Sequence, residues 1–219
     1  MIKPYYETPL GKLYHGDCLE IMPELESVDL VLTDPPYGIS VDTSYLKKYH
    51  KKMGHPDSKS VGTVRNDNGE LDLSFLFEFK KRLIWGHPFI YDEKATGWLI
   101  WDKQPGLDDS FFNNAVEIAS TTLWKGFRMV RALWSGYWKC DNEKRNGHPT
   151  QKPMRVFFKF IEKYSQEGEL IIDPFLGSGT TAIACERLKR RWIGIEIEEK
   201  YCEIAAKRIE QERKQRKLF

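Results

Sequence analysis

Four short apolar runs in this chain each lead into an acidic side chain, and this pattern constrains the fold more than any other feature. Val28-Asp29-Leu30-Val31-Leu32-Thr33 runs into Asp34, and Trp98-Leu99-Ile100-Trp101 precedes Asp102. Leu170-Ile171-Ile172 runs into Asp173, and Trp192-Ile193-Gly194-Ile195 into Glu196. Nearly continuous apolar runs of this length read as strands buried on both faces, as in a parallel sheet. Helical periods lie between and after them: Leu19, Met22 and Leu25; Met154, Phe157, Phe158, Ile161 and Tyr164; Thr180 to Arg190; and Tyr201 through Ile209. Alternating strand and helix predicts a doubly wound α/β fold with a mostly parallel sheet. Ligands in such sheets bind at the carboxyl ends of strands, which is where these acids stand.

At 219 residues the chain suits one domain over 1–219. With 41% hydrophobic and 30% charged residues it reads as a packed, water-soluble protein. No apolar run approaches a membrane span and no secretory leader is visible, so the expected location is the cytosol. Cys18, Cys140, Cys185 and Cys202 form no C-x-x-C pair, and no H-E-x-x-H occurs, so reduced thiols and no metal site are expected. Net charge is only +2, but residues 39–65 carry a local +4 and residues 124–155 a local +6. Such segments can track phosphates, although a charge run is more often a solvated face. Residues 38–68 have no clear period, and a loop that long inside a domain is usually functional or disordered.

Two motifs carry chemistry. Asp173-Pro174-Phe175-Leu176-Gly177-Ser178-Gly179-Thr180-Thr181 joins a strand to a helix through a glycine turn. No lysine follows the second glycine, and a carboxylate at the strand end would repel phosphates. A ligand bearing a sulfonium and an ammonium suits it better. Glu196 lies 23 residues beyond Asp173, near the spacing at which an acid grips ribose hydroxyls. Together they point to a nucleoside ligand without pyrophosphate, and S-adenosylmethionine fits. Asp34-Pro35-Pro36-Tyr37 follows a buried strand directly, and its prolines fix the backbone and remove N–H donors. The loop therefore offers acceptors, the Asp34 carboxylate and the Pro35 carbonyl, beside the flat ring of Tyr37. Two acceptors on the N–H groups of an aryl amine would sharpen its lone pair for attack on a methyl donor. A duplex base must be flipped out to reach such a loop, where Tyr37 would stack on it.

With these motifs the chain resembles the DNA amino-methyltransferases of the permuted β group, in which the catalytic loop precedes the cofactor loop. The likeness also includes His15-Gly16-Asp17-Cys18, His148-Pro149-Thr150-Gln151-Lys152-Pro153 and Gly194-Ile195-Glu196-Ile197. Leu83-Ile84-Trp85-Gly86, Gly97 to Lys103 and Leu133-Trp134-Ser135-Gly136 look like a compact branch common in prophages. The resemblance implies a Rossmann-like, S-adenosylmethionine-dependent methyltransferase sheet acting on double-stranded DNA. It implies that Asp34, Pro35, Pro36 and Tyr37 hold the target base. It further implies that Asp173, Phe175, Gly177, Ser178, Gly179 and Thr180 line the methionine side, and that Glu196 binds the ribose. Asp17 and Cys18 would lie near the adenine, and Thr150, Gln151 and Lys152 would close over the methionine end.

Aspartate at the head of the loop is more usual for the adenine amine and serine for cytosine, so N6-adenine is the first expectation and N4-cytosine the alternative. Methylation of RNA or of a protein glutamine amide ranks lower, because enzymes acting on glutamine have Asn at the head of the loop and the cofactor motif first; an inactive binding homologue ranks lower because Asp34, Tyr37, Asp173 and Glu196 are all kept. Relatives are often dimers, so a homodimer is among the expectations. Only residues 125–147 are available before the His148 motif for target recognition, which implies a short or relaxed site, with residues 38–68 and 125–147 as loops on the DNA.

Overall fold

The computed structural model describes residues 2–37, 72–106, 115–135, 138–139 and 152–216. In chain order these form β1 (Tyr6–Glu7), β2 (Gly11–His15), α1 (Cys18–Ile21), β3 (Leu30–Thr33) and β4 (Arg82–His87). They continue through β5 (Gly97–Asp102), β6 (Val116–Thr121), β7 (Gly126–Arg131), β8 (Trp134–Ser135) and β9 (Trp138–Lys139). The last unit is α2 (Met154–Tyr164), β10 (Leu170–Asp173), α3 (Thr180–Leu188), β11 (Arg191–Glu196) and α4 (Glu199–Arg216). Nine strands share one sheet in the order β1-β2-β11-β10-β3-β4-β6-β5-β7, and β8 and β9 form a separate hairpin.

The five central strands, β2, β11, β10, β3 and β4, are mutually parallel. Their apolar runs are buried on both faces for the predicted reason. Leu30, Leu32, Ile171 and Trp192 pack with α2, α3 and α4 on one side. Val31, Ile172, Ile193 and Ile195 pack on the other with Cys18 and Ile21 of α1 and with Leu76. The chain leaves β10 through α3 toward β11, while β3 pairs with β4 on its other side. The boundary between β10 and β3 is thus a topological switch point, where a crevice opens at the carboxyl ends.

The outer part of the sheet departs from the all-buried reading. β6 is antiparallel to both β4 and β5, and β5 runs parallel to edge strand β7. Gly97, Leu99 and Trp101 of β5 are buried, but Trp98, Ile100 and Asp102 are only half-buried, so this strand covers the core with one face. Residues 126–131, expected within a DNA-contacting loop, form β7 instead, because its backbone completes the ladder with β5. The loop expected at 38–68 lies outside the described residues, as does most of 136–147.

The helix expected through Leu19, Met22 and Leu25 is shorter. α1 ends at Ile21, and Met22–Glu24 winds into a tighter turn at Pro23, which has no N–H to continue the α-helical ladder. α2 and α3 agree with the periodicity within two residues, α3 ending at Leu188 with Lys189 left-handed at φ 56°, and α4 runs on past Ile209 to Arg216. Among the described residues no helix is long and apolar enough to cross a membrane.

Candidate active site

Four acids stand at the carboxyl ends of four neighbouring parallel strands. In sheet order they are Asp17 just after β2, Glu196 at the end of β11, Asp173 at the end of β10 and Asp34 just after β3. The two motifs that the chain separates by well over a hundred residues therefore meet at the switch point. The join is direct: the Thr33 hydroxyl donates to Asp173 Oδ1 at 2.7 Å.

Asp173 is buried, 3% exposed, and its carboxylate is a hub. Besides Thr33 it accepts from the Thr181 hydroxyl on α3 at 2.5 Å and from the Phe175 N–H at 3.2 Å. Burial pushes its pKa up to about 6, against these hydrogen bonds, which favour the charged form. The side chain thus ties β10, β3 and the start of α3 together from beneath the glycine turn.

Above it the turn is held open by two left-handed glycines, Gly177 at φ 55° and Gly179 at φ 86°. A Cβ on Gly179 would lie 3.0 Å from the Ala205 Cβ of α4, so this position needs glycine for space as well as for conformation. Ser178 and Thr180 are buried, Phe175 half-buried, and Arg208 of α4 donates to the Ser178 hydroxyl oxygen at 3.0 Å. Glu196 Oε2 accepts the Gly177 N–H at 2.8 Å and Oε1 the Glu198 N–H at 2.8 Å. Burial raises the pKa of Glu196. Each carboxylate oxygen has a second lone pair, so Glu196 can brace the turn and still accept a hydroxyl.

Asp17 caps α1, its side chain accepting the Leu19 N–H at 2.9 Å. The backbone is fixed beside Glu196, since the Gly16 N–H donates to the Glu196 carbonyl at 3.0 Å. Cys18 is buried, and burial pushes its thiol up to about 12, so it packs the site wall as an uncharged group.

On the other side of the switch point, Asp34 is enclosed by a charge network that sequence reasoning did not foresee. Its Oδ1 accepts the Tyr37 hydroxyl at 2.6 Å, and its Oδ2 the Lys152 ammonium at 2.5 Å. Lys152 also lies 3.0 Å from Glu117 Oε2 and 3.2 Å from the Tyr37 oxygen, and Lys103 Nζ donates to Glu117 Oε1 at 3.1 Å. Two carboxylates and two ammonium groups balance. Burial works against charge on Lys152, but Asp34 and Glu117 outweigh it and hold its pKa well above the usual lysine range. Burial likewise pushes the Asp34 carboxyl up, opposed by Lys152. For Glu117 burial is overcome by Lys152 and Lys103, and its pKa falls.

The expected groupings therefore divide. Asp34, Pro35, Pro36 and Tyr37 form one loop at the end of β3, with Pro35 buried. Asp173 to Thr180, Glu196, Asp17 and Cys18 line the adjoining strand ends. Lys152, expected over the methionine end, directs its ammonium at Asp34 and Glu117, drawn there by two negative charges. Thr150 and Gln151 lie outside the described residues. Thr33, Thr181, Glu117 and Lys103 were not anticipated. Thr33 could have been noticed as the polar residue closing an apolar run, and Glu117 as the acid within the strand Val116–Thr121.

The residues around the glycine turn fit S-adenosylmethionine. No basic side chain occurs between Asp173 and Thr181, acids flank the turn on either side, and Gly177 and Gly179 present bare backbone without a Cβ. That donor set suits a cationic nucleoside and opposes a phosphate.

Comparison with known proteins agrees. Residues 122–207 match the N6_N4_Mtase family, described as a DNA methylase. The chain is 28% identical to the Type II methyltransferase M2.LlaDCHI of Lactococcus lactis subsp. cremoris, over 95% of this chain and 93% of that one. It is 27% identical to M2.DpnII of Streptococcus pneumoniae, over 97% and 94% of the two chains. Among solved structures, the PvuII DNA methyltransferase (cytosine-N4-specific) superposes with a TM-score of 0.59 at 18% identity, covering 94% of this chain and 88% of that one. The M1.HpyAVI–SAM complex gives 0.53 at 23% identity, covering 90% and 99%. In its ordered motifs and in these relatives the chain is similar to the DNA amino-methyltransferases, and its fold is that of the solved methyltransferases.

Proposed function

We propose that this protein transfers a methyl group from S-adenosylmethionine to the N6 amine of an adenine flipped out of double-stranded DNA. The observation that carries the reading is the Thr33–Asp173 hydrogen bond, which holds the Asp34 loop against the base of the glycine turn. A donor methyl presented over residues 175–179 and an amine held by Asp34 would thus face each other across one strand boundary.

When bound, S-adenosylmethionine supplies an electrophilic methyl group on a positively charged sulfur. The chain's own residues do the rest. Glu196 and the backbone after Gly16 would hold the ribose and adenine ends, and the negative charge of Asp173 favours a cation from below the turn. Asp34 and the Pro35 carbonyl would accept the two amine N–H bonds, turning the nitrogen lone pair toward the methyl carbon. Held so, the amine would be aimed in line at the methyl carbon, the sulfur would leave with the bonding electron pair, and Asp34 would lie on the side that receives the proton the amine loses. Asp34 already accepts two hydrogen bonds and has capacity for more. Lys152 opposes the burial that raises the Asp34 pKa. Most of the rate would come from positioning and fixed charge.

Tyr37 is placed by its hydroxyl bond to Asp34, which leaves its ring as the stacking surface for the base. Because β7 takes up Gly126–Arg131 of the 125–147 span available for recognition, the expected target sequence remains short.

Methylating a plasmid with the purified chain and digesting it to nucleosides tests the proposal. N6-methyladenine is the expected product. N4-methylcytosine would move the reading to the other base of the family, and methylation of RNA in preference to DNA would overturn it.

A further inference from the structure

Beside the catalytic loop stands a turn whose construction the chemistry above does not use. Residues 86–92 follow β4, the neighbour of β3, and expose two large aromatic side chains, Phe89 at 59% and Tyr91 at 74%. Exposed aromatics on a loose loop would mean little. This turn is fixed at three points. The Ile90 N–H donates to the Gly86 carbonyl at 3.0 Å, and the Ile90 side chain is buried. Arg82 grips Asp92 in a two-pronged pair, Nε to Oδ2 at 2.7 Å and Nη2 to Oδ1 at 2.7 Å, with both side chains inaccessible. The remaining arm of Arg82 donates to the Phe79 carbonyl at 2.6 Å. Burying two charges is costly and is retained where geometry matters.

What the bracing holds in place is Phe89 against the catalytic tyrosine. The rings of Phe89 and Tyr37 are stacked, 14° from parallel with centroids 6.0 Å apart. The fit depends on Gly86, at φ 111°, where a Cβ would come within 2.7 Å of the Tyr37 ring and 2.8 Å of Ile90. Tyr37 is thus seated on the turn, and its aromatic surface continues into an exposed second ring.

We propose that Phe89 is a substrate-contacting residue, adding a second aromatic face on which the extruded base stacks beside Tyr37. The inference rests on the base-methylation reading and adds to it a contact outside the Asp34–Tyr37 motif. Planar stacking is sequence-tolerant, so Phe89 would hold the base while Asp34 and Pro35 act on its amine.

Phe89→Ala, Phe89→Leu and Phe89→Tyr are compared with the parent for methyl transfer to DNA and for S-adenosylmethionine binding. Loss of a stacking partner costs about 1–3 kcal/mol, roughly five- to 150-fold. Phe89→Ala is expected to lower kcat/KM for DNA by at least about fivefold. Phe89→Tyr should stay within about threefold of the parent, and Phe89→Leu should remain well below Phe89→Tyr. Cofactor affinity and melting temperature should be unchanged, because Phe89 is exposed and lies outside the cofactor turn. An active parent with a fully active Phe89→Ala, or Leu serving as well as Tyr, overturns the inference alone. A parent with no transfer to DNA overturns the methylation reading and this inference with it.

Discussion

The Thr33 hydroxyl donates to Asp173 Oδ1 across the boundary between β3 and β10, and this 2.7 Å bond joins the Asp34 loop to the glycine turn. A hydrogen bond to a buried carboxylate contributes about 1.5–3 kcal/mol. Thr33→Val keeps the shape of the side chain and removes the donor. Stability measured by urea denaturation at neutral pH should fall by about that amount, and methyl transfer should fall with it as the loop loses its register. Unchanged stability and rate would show that the two loops are held together by something else.

Asp173 makes a separate prediction about pH. Its pKa is about 6 in the folded chain and near 3.8 when unfolded. Between these values the folded chain keeps a proton that the unfolded chain has shed. Its contribution to stability is therefore complete below about pH 4, is lost progressively as pH rises to about 6, and stays lost above. The loss is about 3 kcal/mol at most. Asp173→Asn removes the titration, so its stability relative to the parent should rise between about pH 4 and about pH 6 and then level off. A difference curve flat with pH would contradict the raised pKa.

Lys152 and Glu117 should act on the protonation of Asp34 rather than on cofactor binding. Lys152→Met leaves Asp34 buried without its partner, so its carboxyl pKa rises further and less of it is ionised at neutral pH. Methyl transfer at pH 7 should drop at least tenfold and recover partly as pH increases. Glu117→Gln should shift the same profile in the opposite direction and by less, because Lys152 then has Asp34 as its one carboxylate among these contacts. Cofactor titration of both variants should resemble the parent; a primary loss of cofactor affinity would return Lys152 to the methionine end.

At Gly179 the conformation and the space agree. Gly179→Ala places a Cβ at positive φ and 3.0 Å from Ala205, so α4 or the turn must move. A loss of about 1–3 kcal/mol is expected, together with weaker cofactor binding. Calorimetry of the variant with and without cofactor measures both.

Much of this was legible in the chain because burial on two faces leaves a strong mark. β3, β10 and β11 are unbroken apolar runs, and the acids that close them stand at the carboxyl edge for the topological reason given. β6 and β7 were not recognised as strands, since each shows only part of itself to the core and mixes charged with apolar residues. The Lys152 pairing was hidden for another reason. It joins side chains more than a hundred positions apart, Lys152 to Asp34, through a strand, β6, that the sequence pattern did not reveal. Phe89 was hidden likewise: nothing local distinguishes it, and its partner Tyr37 is reached across the sheet.

The most direct test of the account is Asp34→Ala, assayed in parallel for transfer of a labelled methyl group to DNA and for binding of S-adenosylmethionine. Transfer should fall by about a hundredfold or more, the scale on which a positioned polar group acts in a transition state. Cofactor affinity should stay within a few-fold of the parent. Parental transfer rates in Asp34→Ala would contradict the claim that this carboxylate works on the target amine.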